Sequence, residues 1–267
     1  MTQDDTYRRV QAQFGRTADA YVRSTGHAKG AELTQMVELA KSSLGSLQNR
    51  TVLDVATGGG HTALAFARAG AQVTATDLTP GMLQAAQAFV HADFHADGGE
   101  VRFATAPAEN LPFAARSFDL VSCRIAAHHF ADPERFVREA ARVLKPGGLL
   151  LLVDNVAPEE AELADAMNSV EQRRDPSHVR AYSVRQWVVW FAEAGLDAQH
   201  LSRWWTHKPY QEWTARAQTP AAVREALARD VLALPEAHRA YLRVEEVGGR
   251  LESLAHEAAL LVGRKRP

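Results

Sequence analysis

The sequence of 267 residues has little cysteine and no long apolar segment. Its single cysteine, Cys123, cannot form an intrachain disulfide or a cysteine-rich zinc site, and it favours a reducing compartment. Apolar runs such as residues 149–153 are far shorter than the ~20 residues that span a bilayer. Residues 1–5 are polar and acidic, which is not typical of a signal peptide. We therefore expect a cytoplasmic protein with no stable membrane insertion.

An excess of charge of either sign is also missing. The chain has 30 Lys and Arg residues against 32 Asp and Glu residues, a net charge of -2. A basic surface that would attract nucleic acid is therefore not expected, and the short basic tail at 264–266 does not change this. We therefore expect no nucleic-acid partner, and the sequence leaves open whether the protein forms a homodimer.

Short apolar segments alternate with helical patterns between residues 51 and 153. The predicted strands lie at residues 51–56, 72–76, 101–104, 118–123 and 149–153. Helical patterns or helix-start signals separate most of them, such as the Asp132-Pro133 pair. This alternation predicts an α/β fold with a doubly wound parallel sheet.

A glycine-rich turn follows the first of these strands. The segment 53–60 reads LDVATGGG, and Asp77 ends the next strand. Glycines allow the backbone to approach a ligand closely, and a carboxylate at the second strand end can accept hydrogen bonds from a ribose. The pair indicates an adenosine-type site. By itself it also fits the dinucleotide pattern of an NAD(P)-dependent oxidoreductase.

Five stretches in a fixed order indicate one particular protein family. They read VLDVATGGG at 52–60, ATDLTPGML at 75–83, APAENLPF at 106–113, SFDLVSCR at 117–124 and ARVLKPGG at 141–148. With these five stretches, the sequence resembles the class I S-adenosylmethionine (SAM)-dependent methyltransferases, in particular the UbiE-like group, over about residues 48–155. Residues 124–130 and 174–180 resemble a less characterised bacterial branch of that group.

The resemblance implies an architecture. We expect a Rossmann-like, doubly wound, mainly parallel seven-stranded sheet with helices on both faces and a helical lid. Residues 1–45 would be helices that cover the cofactor site, 46–156 the SAM-binding core, and 157–267 the lid helices and last strands of one catalytic domain.

The resemblance also implies a role for SAM, with S-adenosylhomocysteine (SAH) as the product. Asp54 would orient the glycine loop and the methionine amino group, and Asp77 would hold the ribose hydroxyls. Arg124 would lie near the methionine carboxylate or offer a backbone carbonyl there. Tyr21, on the N-terminal helix, would cover the bound SAM. The other implied contacts are with its methionine, ribose and adenine parts: Ala56, Gly58, Gly60, Leu78, Met82, Ala108 and Glu109.

Acid–base and acceptor candidates lie outside the matched stretches. His128 and His129 follow the fourth strand, and a histidine there can act as a general base, His128 being the first choice. Arg174 and His178 form a charged cluster in the predicted lid, and Trp204 and Trp205 point to opposite faces if they lie on a strand. We interpret Arg174, His178 and Trp204 as candidate acceptor contacts, and we expect no metal ligand.

Three functions remain open on the sequence alone. The first is a methyltransferase for a small apolar or aromatic acceptor. The second is an NAD(P)-dependent oxidoreductase, although no Tyr-x-x-x-Lys or comparable hydride site is present. The third is a non-catalytic SAM-binding module, because Rossmann-like folds support many functions.

Overall fold

Five parallel strands form the centre of the sheet in the computed structural model, which describes residues 2–22, 30–93 and 99–266, without the side chains of 17–22 and 199–201. These strands are β1 (Thr51–Val55), β2 (Gln72–Asp77), β3 (Glu100–Thr105), β4 (Phe118–Arg124) and β5 (Leu144–Asn155). Their order in the sheet is β3-β2-β1-β4-β5. The order reverses between β1 and β4, so a crevice opens beyond the carboxyl ends of these strands.

Two long antiparallel strands extend the sheet beyond β5. β6 (Leu196–Pro209) and β8 (Arg250–Lys265) add to it in the order β5-β8-β6. A short strand, β7 (Glu245–Val247), pairs with β8, so the described sheet has eight strands. The expected mainly parallel, doubly wound class is confirmed, but the expected count of seven is one too low. β7 is three exposed residues with two glutamates, which carry no apolar pattern.

Ten α-helices lie in the described ranges. They are α1 (Gln3–Val22), α2 (Ala31–Leu44), α3 (His61–Arg68), α4 (Pro80–Asp93), α5 (Pro133–Val143), α6 (Ala161–Arg174), α7 (Val184–Glu193), α8 (Tyr210–Arg216), α9 (Ala221–Leu232) and α10 (Glu236–Tyr241). The predicted helix start at Asp132 forms an N-cap, since Asp132 accepts from the Arg135 amide, and Ser183 caps α7 by accepting from the Gln186 amide.

β5 shows why the sheet is covered on both faces. Its side chains alternate between two apolar clusters, because successive residues of a strand point to opposite faces. Leu150 and Leu152 pack with Trp187 of α7 on one face. Leu149 and Leu151 lie on the other face, in the cluster that contains Met36 of α2. Burial on both faces gives β5 its continuous aliphatic sequence.

A third apolar cluster lies where the predicted lid was expected. Met167 of α6, Trp213 of α8 and Leu227 of α9 pack with Leu254 of β8. The lid helices therefore rest on the antiparallel extension of the sheet and have a small core of their own. No helix in the described ranges is long and apolar enough to cross a membrane.

Candidate active site

The glycine-rich turn joins β1 to α3 at the crevice. Ala56 has a φ of 52° and Gly58 a φ of 55°, both in the left-handed region, and both residues line the cleft. Nothing lies within 4 Å of the position that a Gly58 Cβ would take, so the backbone there faces open space. Gly60 has a φ of 84° and lies against α4, outside the cleft lining. Gly60 therefore allows the chain to turn against α4, while Gly58 faces the open cleft.

Asp54 is fixed at the floor of the cleft. Its carboxylate accepts hydrogen bonds from Thr57 Oγ1 at 2.6 Å and Ser122 Oγ at 2.7 Å. Burial raises the pKa of the Asp54 carboxyl to about 6, and these hydrogen bonds oppose that shift. The carboxylate thus connects β1, the glycine loop and β4, and it lines the cleft at their junction.

Asp77 ends β2 beside the same loop. Its two oxygens accept separately, one from the Gly58 amide at 3.1 Å and the other from the Thr79 amide at 2.9 Å. Burial raises the pKa of Asp77 to about 6. Its acceptor capacity exceeds these two bonds, because an ionised carboxylate has about four lone-pair sites. The carboxylate is therefore held in place with sites left for the hydroxyls of a ribose.

Helix α1 closes one side of the cleft. Tyr7, Val10 and Phe14 lie on one helical face and line the cleft. The Tyr7 hydroxyl donates to Glu109 Oε2 at 2.9 Å, and Glu109 also accepts from the Ala131 amide. The Glu109 side chain is thus committed to holding α1 and the loop after β4. The side chain of Tyr21 lies outside the described residues.

The side of the cleft at which an adenine is expected is apolar. Leu78, Met82 and Ala108 line it together with Ala106. Met82 is 2% exposed in α4, and the Leu78 carbonyl accepts from Gln11 of α1 at 3.1 Å. An apolar slot of this kind suits the flat face of an adenine.

Arg124 lies at the carboxyl end of β4 and lines the cleft. Its guanidinium donates to Thr62 Oγ1 at 3.0 Å and to Glu32 Oε1 of α2 at 2.9 Å. The pair with Glu32 is nearly buried, so it connects the sheet edge to the second helix. The predicted position near the methionine end is compatible with this placement, and Glu32 is a contact that the sequence did not indicate.

These residues suit the chemical groups of SAM. The cleft is open to solvent and encloses about 940 Å³ of empty space when its mouth is included. Its chemistry is that of an adenosine site, with a ribose-binding carboxylate, an apolar slot and an open glycine loop. Among the described residues, no group of three or more His, Cys, Asp or Glu side chains is arranged to hold a metal ion.

A second cavity, the acceptor cavity, adjoins the cofactor cleft. Phe14, Ile125 and His129 line both spaces, so the two meet at these side chains. The acceptor cavity encloses about 1380 Å³ including its open part. Its walls combine aromatic and charged side chains from β6, α6 and α8: Glu171, Arg174, Trp204, Trp205, Lys208, Trp213 and Arg216.

His128 lies in the acceptor cavity and has a partner that the sequence analysis missed. Asp154 of β5 accepts from the His128 backbone amide at 3.0 Å, and its Oδ1 lies 2.5 Å from His128 Nδ1. Although burial opposes it, the Asp154 carboxylate raises the pKa of His128. A carboxylate only accepts, so in the neutral ring Nδ1 carries the proton and Nε2 is the basic atom.

His129 differs from its neighbour. Its Nδ1 lies 3.0 Å from the Ser177 carbonyl oxygen, and Phe14 packs edge-on against the ring. Burial and the charge of His128 lower the pKa of His129 to about 4. His129 is therefore neutral at physiological pH and forms the wall between the two spaces.

The structure separates the three candidate acceptor contacts. Arg174 and Trp204 line the acceptor cavity. His178 lines neither space, is 1% exposed and places Nε2 2.8 Å from Asn168 Oδ1. The predicted opposite orientation of Trp204 and Trp205 agrees with their packing, since Trp204 lies against the sheet core and Trp205 against Tyr241.

Comparison with known proteins identifies the class. The family model "Methyltransferase domain" matches residues 53–152. The chain is 36% identical to the uncharacterized methyltransferase YcgJ of Bacillus subtilis over 96% of this chain and 99% of that protein. It is also 34% identical to the ubiquinone biosynthesis O-methyltransferase of Xanthomonas axonopodis pv. citri, over 62% of this chain and 69% of that enzyme. The chain belongs to the SAM-dependent methyltransferases.

Solved structures place it more narrowly. The crystal structure of YcgJ superposes with a TM-score of 0.84 and covers 90% of this chain and all of that one. A putative methyltransferase from Bacillus halodurans superposes with a TM-score of 0.83 at 37% identity, covering 89% of this chain and 100% of that one. The predicted likeness to the UbiE-like group and to a less characterised bacterial branch is confirmed. The glycine loop is therefore that of a methyltransferase, not that of an oxidoreductase.

Proposed function

We propose that this protein transfers the methyl group of SAM to a hydroxyl, or to an equally acidic carbon, of a small acceptor with an apolar or aromatic body. The observation that carries the proposal is the junction of the two spaces. The acceptor cavity meets the cofactor cleft at His129, and His128, which the buried Asp154 holds, lines the acceptor cavity beside that junction.

The proposed cofactor contacts follow from the geometry of the cleft. Asp77 accepts from the ribose hydroxyls, Asp54 holds the loop and the amino end of the methionine, and Arg124 lies by its carboxylate. The sulfonium of bound SAM supplies an activated methyl group and a neutral leaving group. The apolar walls from Val10, Phe14 and the neutral His129 keep water away from the reacting atoms, which favours dispersal of the positive charge.

The chemical step requires alignment and the removal of one proton. The acceptor oxygen or carbon forms a bond to the methyl carbon while the bond from that carbon to sulfur breaks, and its electron pair stays on sulfur. The acceptor proton goes to Nε2 of His128, whose Nδ1 proton is held by Asp154. Proximity can contribute up to ~7–11 kcal/mol to such a step, and a positioned base a further ~10²–10⁴-fold.

A calorimetric titration with SAM, SAH and NADH tests the cofactor. We expect micromolar binding of the two SAM-type ligands and none of NADH. The purified protein is then screened with SAM and a set of phenols, quinols and hydroxyquinolines, with SAH release as the readout. Binding of SAH without turnover of any acceptor would favour the non-catalytic alternative.

Two histidine variants test whether His128 acts as the general base. His128→Gln should keep SAH affinity and lose about 10²–10⁴-fold in turnover. The matched control is His91→Gln, an exposed histidine of α4 that lines neither space. Unchanged turnover in His128→Gln would exclude His128 as the base.

A further inference from the structure

The charges around the acceptor cavity do not balance. Five side chains of full charge line it, and three of them are cationic: Arg174, Lys208, Arg216, Glu32 and Glu171. Arg174 is buried, whereas Lys208 and Arg216 are half-buried, and a charge that is partly removed from water gains from a counter-ion. The positions of the two carboxylates therefore decide which of the cations remain without a counter-ion.

Both carboxylates are already paired. Glu171 Oε2 accepts from Arg174 at 2.9 Å, and Glu171 Oε1 lies 2.8 Å from His256 Nδ1. The positive charge of Arg174 contributes to a pKa of Glu171 well below the ordinary value, against the effect of burial. Glu32 Oε1 accepts from Arg124 at 2.9 Å. Neither carboxylate forms an ion pair with one of the remaining two cations.

Lys208 and Arg216 are those cations. Among the residues that the structure describes, no carboxylate oxygen lies within 4.0 Å of either side chain's nitrogens. Burial lowers the pKa of Lys208 to about 8; the charges of Glu171 and Glu32 oppose this shift, and repulsion from Arg174 and Arg216 adds to it. The Lys208 ammonium therefore remains mostly protonated at neutral pH, in a place that disfavours its charge.

Flat aromatic surface accompanies these cations. Lys208 and Trp204 lie four residues apart on β6, so they share one face of the strand. Arg216 and Trp213 lie three residues apart on α8 and also share a face. The Arg174 guanidinium carbon lies 4.9 Å from the centre of the Trp213 ring. Both tryptophans line the cavity, so each unpaired cation has an aromatic neighbour.

We propose that the methyl acceptor is an aromatic carboxylic acid, whose ring packs against Trp204 and Trp213 and whose carboxylate binds Lys208 and Arg216. This proposal rests on the proposed function, because the same molecule presents its reacting group to His128. The acid supplies the counter-ion that the cavity lacks. Lys208 and Arg216 line the same cavity and are close enough for their charges to interact, and two cations can bind the two oxygens of a carboxylate.

The test compares an acid with a neutral molecule of the same shape. Binding of 1-naphthoate and 1-naphthamide to the full-length protein is measured by calorimetry, with and without SAH. We expect the acid to bind at least tenfold more tightly than the amide. If the acid has no advantage over the amide, whether both bind or neither does, the proposal is wrong.

Variants then locate the anion site. Lys208→Met and Arg216→Met should each weaken naphthoate binding about tenfold and leave naphthamide unchanged, while Lys208→Arg should keep the preference for the acid. Lys41→Met, on the exposed side of α2, is the control that should change neither ligand. A preference for the acid that persists in both methionine variants would overturn the assignment.

The two proposals can fail separately. SAH affinity does not depend on Lys208 or Arg216, since neither lines the cofactor cleft. Normal SAH binding with no preference for the acid removes only the aromatic-acid proposal. A preference for the acid in a protein that does not bind SAH removes the methyl-transfer proposal and leaves the anion site as a property of the cavity.

Discussion

Replacement of Asp77 by asparagine isolates the ribose contact. Hydrogen bonds to a charged acceptor contribute ~1.5–3 kcal/mol each. An amide keeps one acceptor oxygen, but it presents an NH₂ group where the second oxygen stood. We expect Asp77→Asn to lose one such bond and to weaken SAH binding by about 1.5–3 kcal/mol, which is about 10- to 150-fold in Kd.

The same substitution should leave the protein folded. The pKa of Asp77 is raised from 3.8 to about 6, so keeping the carboxylate ionised at pH 7 costs roughly 3 kcal/mol of stability at ~1.36 kcal/mol per unit. Asparagine removes that cost. It also leaves one of the Gly58 and Thr79 amides without an acceptor, which costs ~1–3 kcal/mol. The two changes offset each other, so the affinity measurement can be interpreted.

The pH dependence has a defined sign. With a raised pKa, the folded protein binds a proton more readily than the unfolded chain between about pH 4 and pH 6. The stability cost of Asp77 is therefore fully present above pH 6 and disappears as the pH falls. Protonation of Asp77 should therefore stabilise the fold but weaken SAH binding, because the ribose hydroxyls need the ionised carboxylate. We expect wild-type SAH affinity to fall as the pH drops through 6.

Calorimetry at pH 7.5 and pH 5.5 on three proteins provides the assay. Wild type should lose affinity between the two values and Asp77→Asn should lose less, with Asp54 accounting for what remains, since its pKa is also about 6. Asp197→Asn, an exposed carboxylate paired with Arg266, is the control and should behave as wild type. Equal SAH affinity of Asp77→Asn and wild type at pH 7.5 would refute the reasoning.

Four further substitutions test the glycine turn, the His128–Asp154 pair and the core. Gly60→Ala would place a methyl group 3.1–3.2 Å from α4 side chains at a φ of 84°, and it should lower the free energy of unfolding in urea by about 1–3 kcal/mol. Gly58→Ala, with open space around its Cβ, should lose less stability and more SAH affinity. Asp154→Asn removes the charge that raises the pKa of His128. The acidic limb of the pH profile of turnover should therefore move to lower pH, while turnover at the plateau falls. An acidic limb that stays at the same pH would contradict this. Trp187→Ala empties a site only 1% exposed and should cost about 3–5 kcal/mol, measured by urea unfolding, and a loss below 1 kcal/mol would contradict its core position.

The parallel half of the sheet was predictable because its signals are local. β1, the glycine turn and Asp77 lie within 27 residues of one another, and each is marked by residue type: an apolar strand, glycines at positive φ and an acid at a strand end. The order β3-β2-β1-β4-β5 then follows from the handedness of the crossovers and the family pattern.

The antiparallel half was less predictable. The residue pattern indicates strands only over residues 196–205 and 256–262, whereas β6 and β8 extend over Leu196–Pro209 and Arg250–Lys265. They pair along most of their lengths, from Leu196 with Lys265 to Pro209 with Ser253. That long pairing is a non-local stabilisation, so polar residues such as His207 and Lys208 enter the strand although their types do not favour it.

Asp154 is a residue that the sequence could have indicated. It lies at the carboxyl end of the most apolar strand, β5, which is next to β4, and β4 leads to His128. Because the carboxyl ends of neighbouring parallel strands meet at one edge, an acid at the end of β5 and a histidine after β4 are expected to be close. Lys208 and Arg216 had no comparable signal, because the register of β6 on β8 and the packing of α8 bring them to the cavity.

The two cavities are lined by different parts of the chain. This difference explains which property of the protein can be inferred from its relatives. Apart from α1, the cofactor cleft is lined by one part of the chain, residues 54–130, where the family pattern is densest. The acceptor cavity collects residues from Phe14 to Ala258, and most of them lie after the matched domain. A shared methyltransferase domain therefore carries SAM binding across the family but not the acceptor. For the acceptor, the informative residues are the unpaired cations and tryptophans of the lid side, so Lys208 and Arg216 are the positions at which relatives with other acceptors should differ.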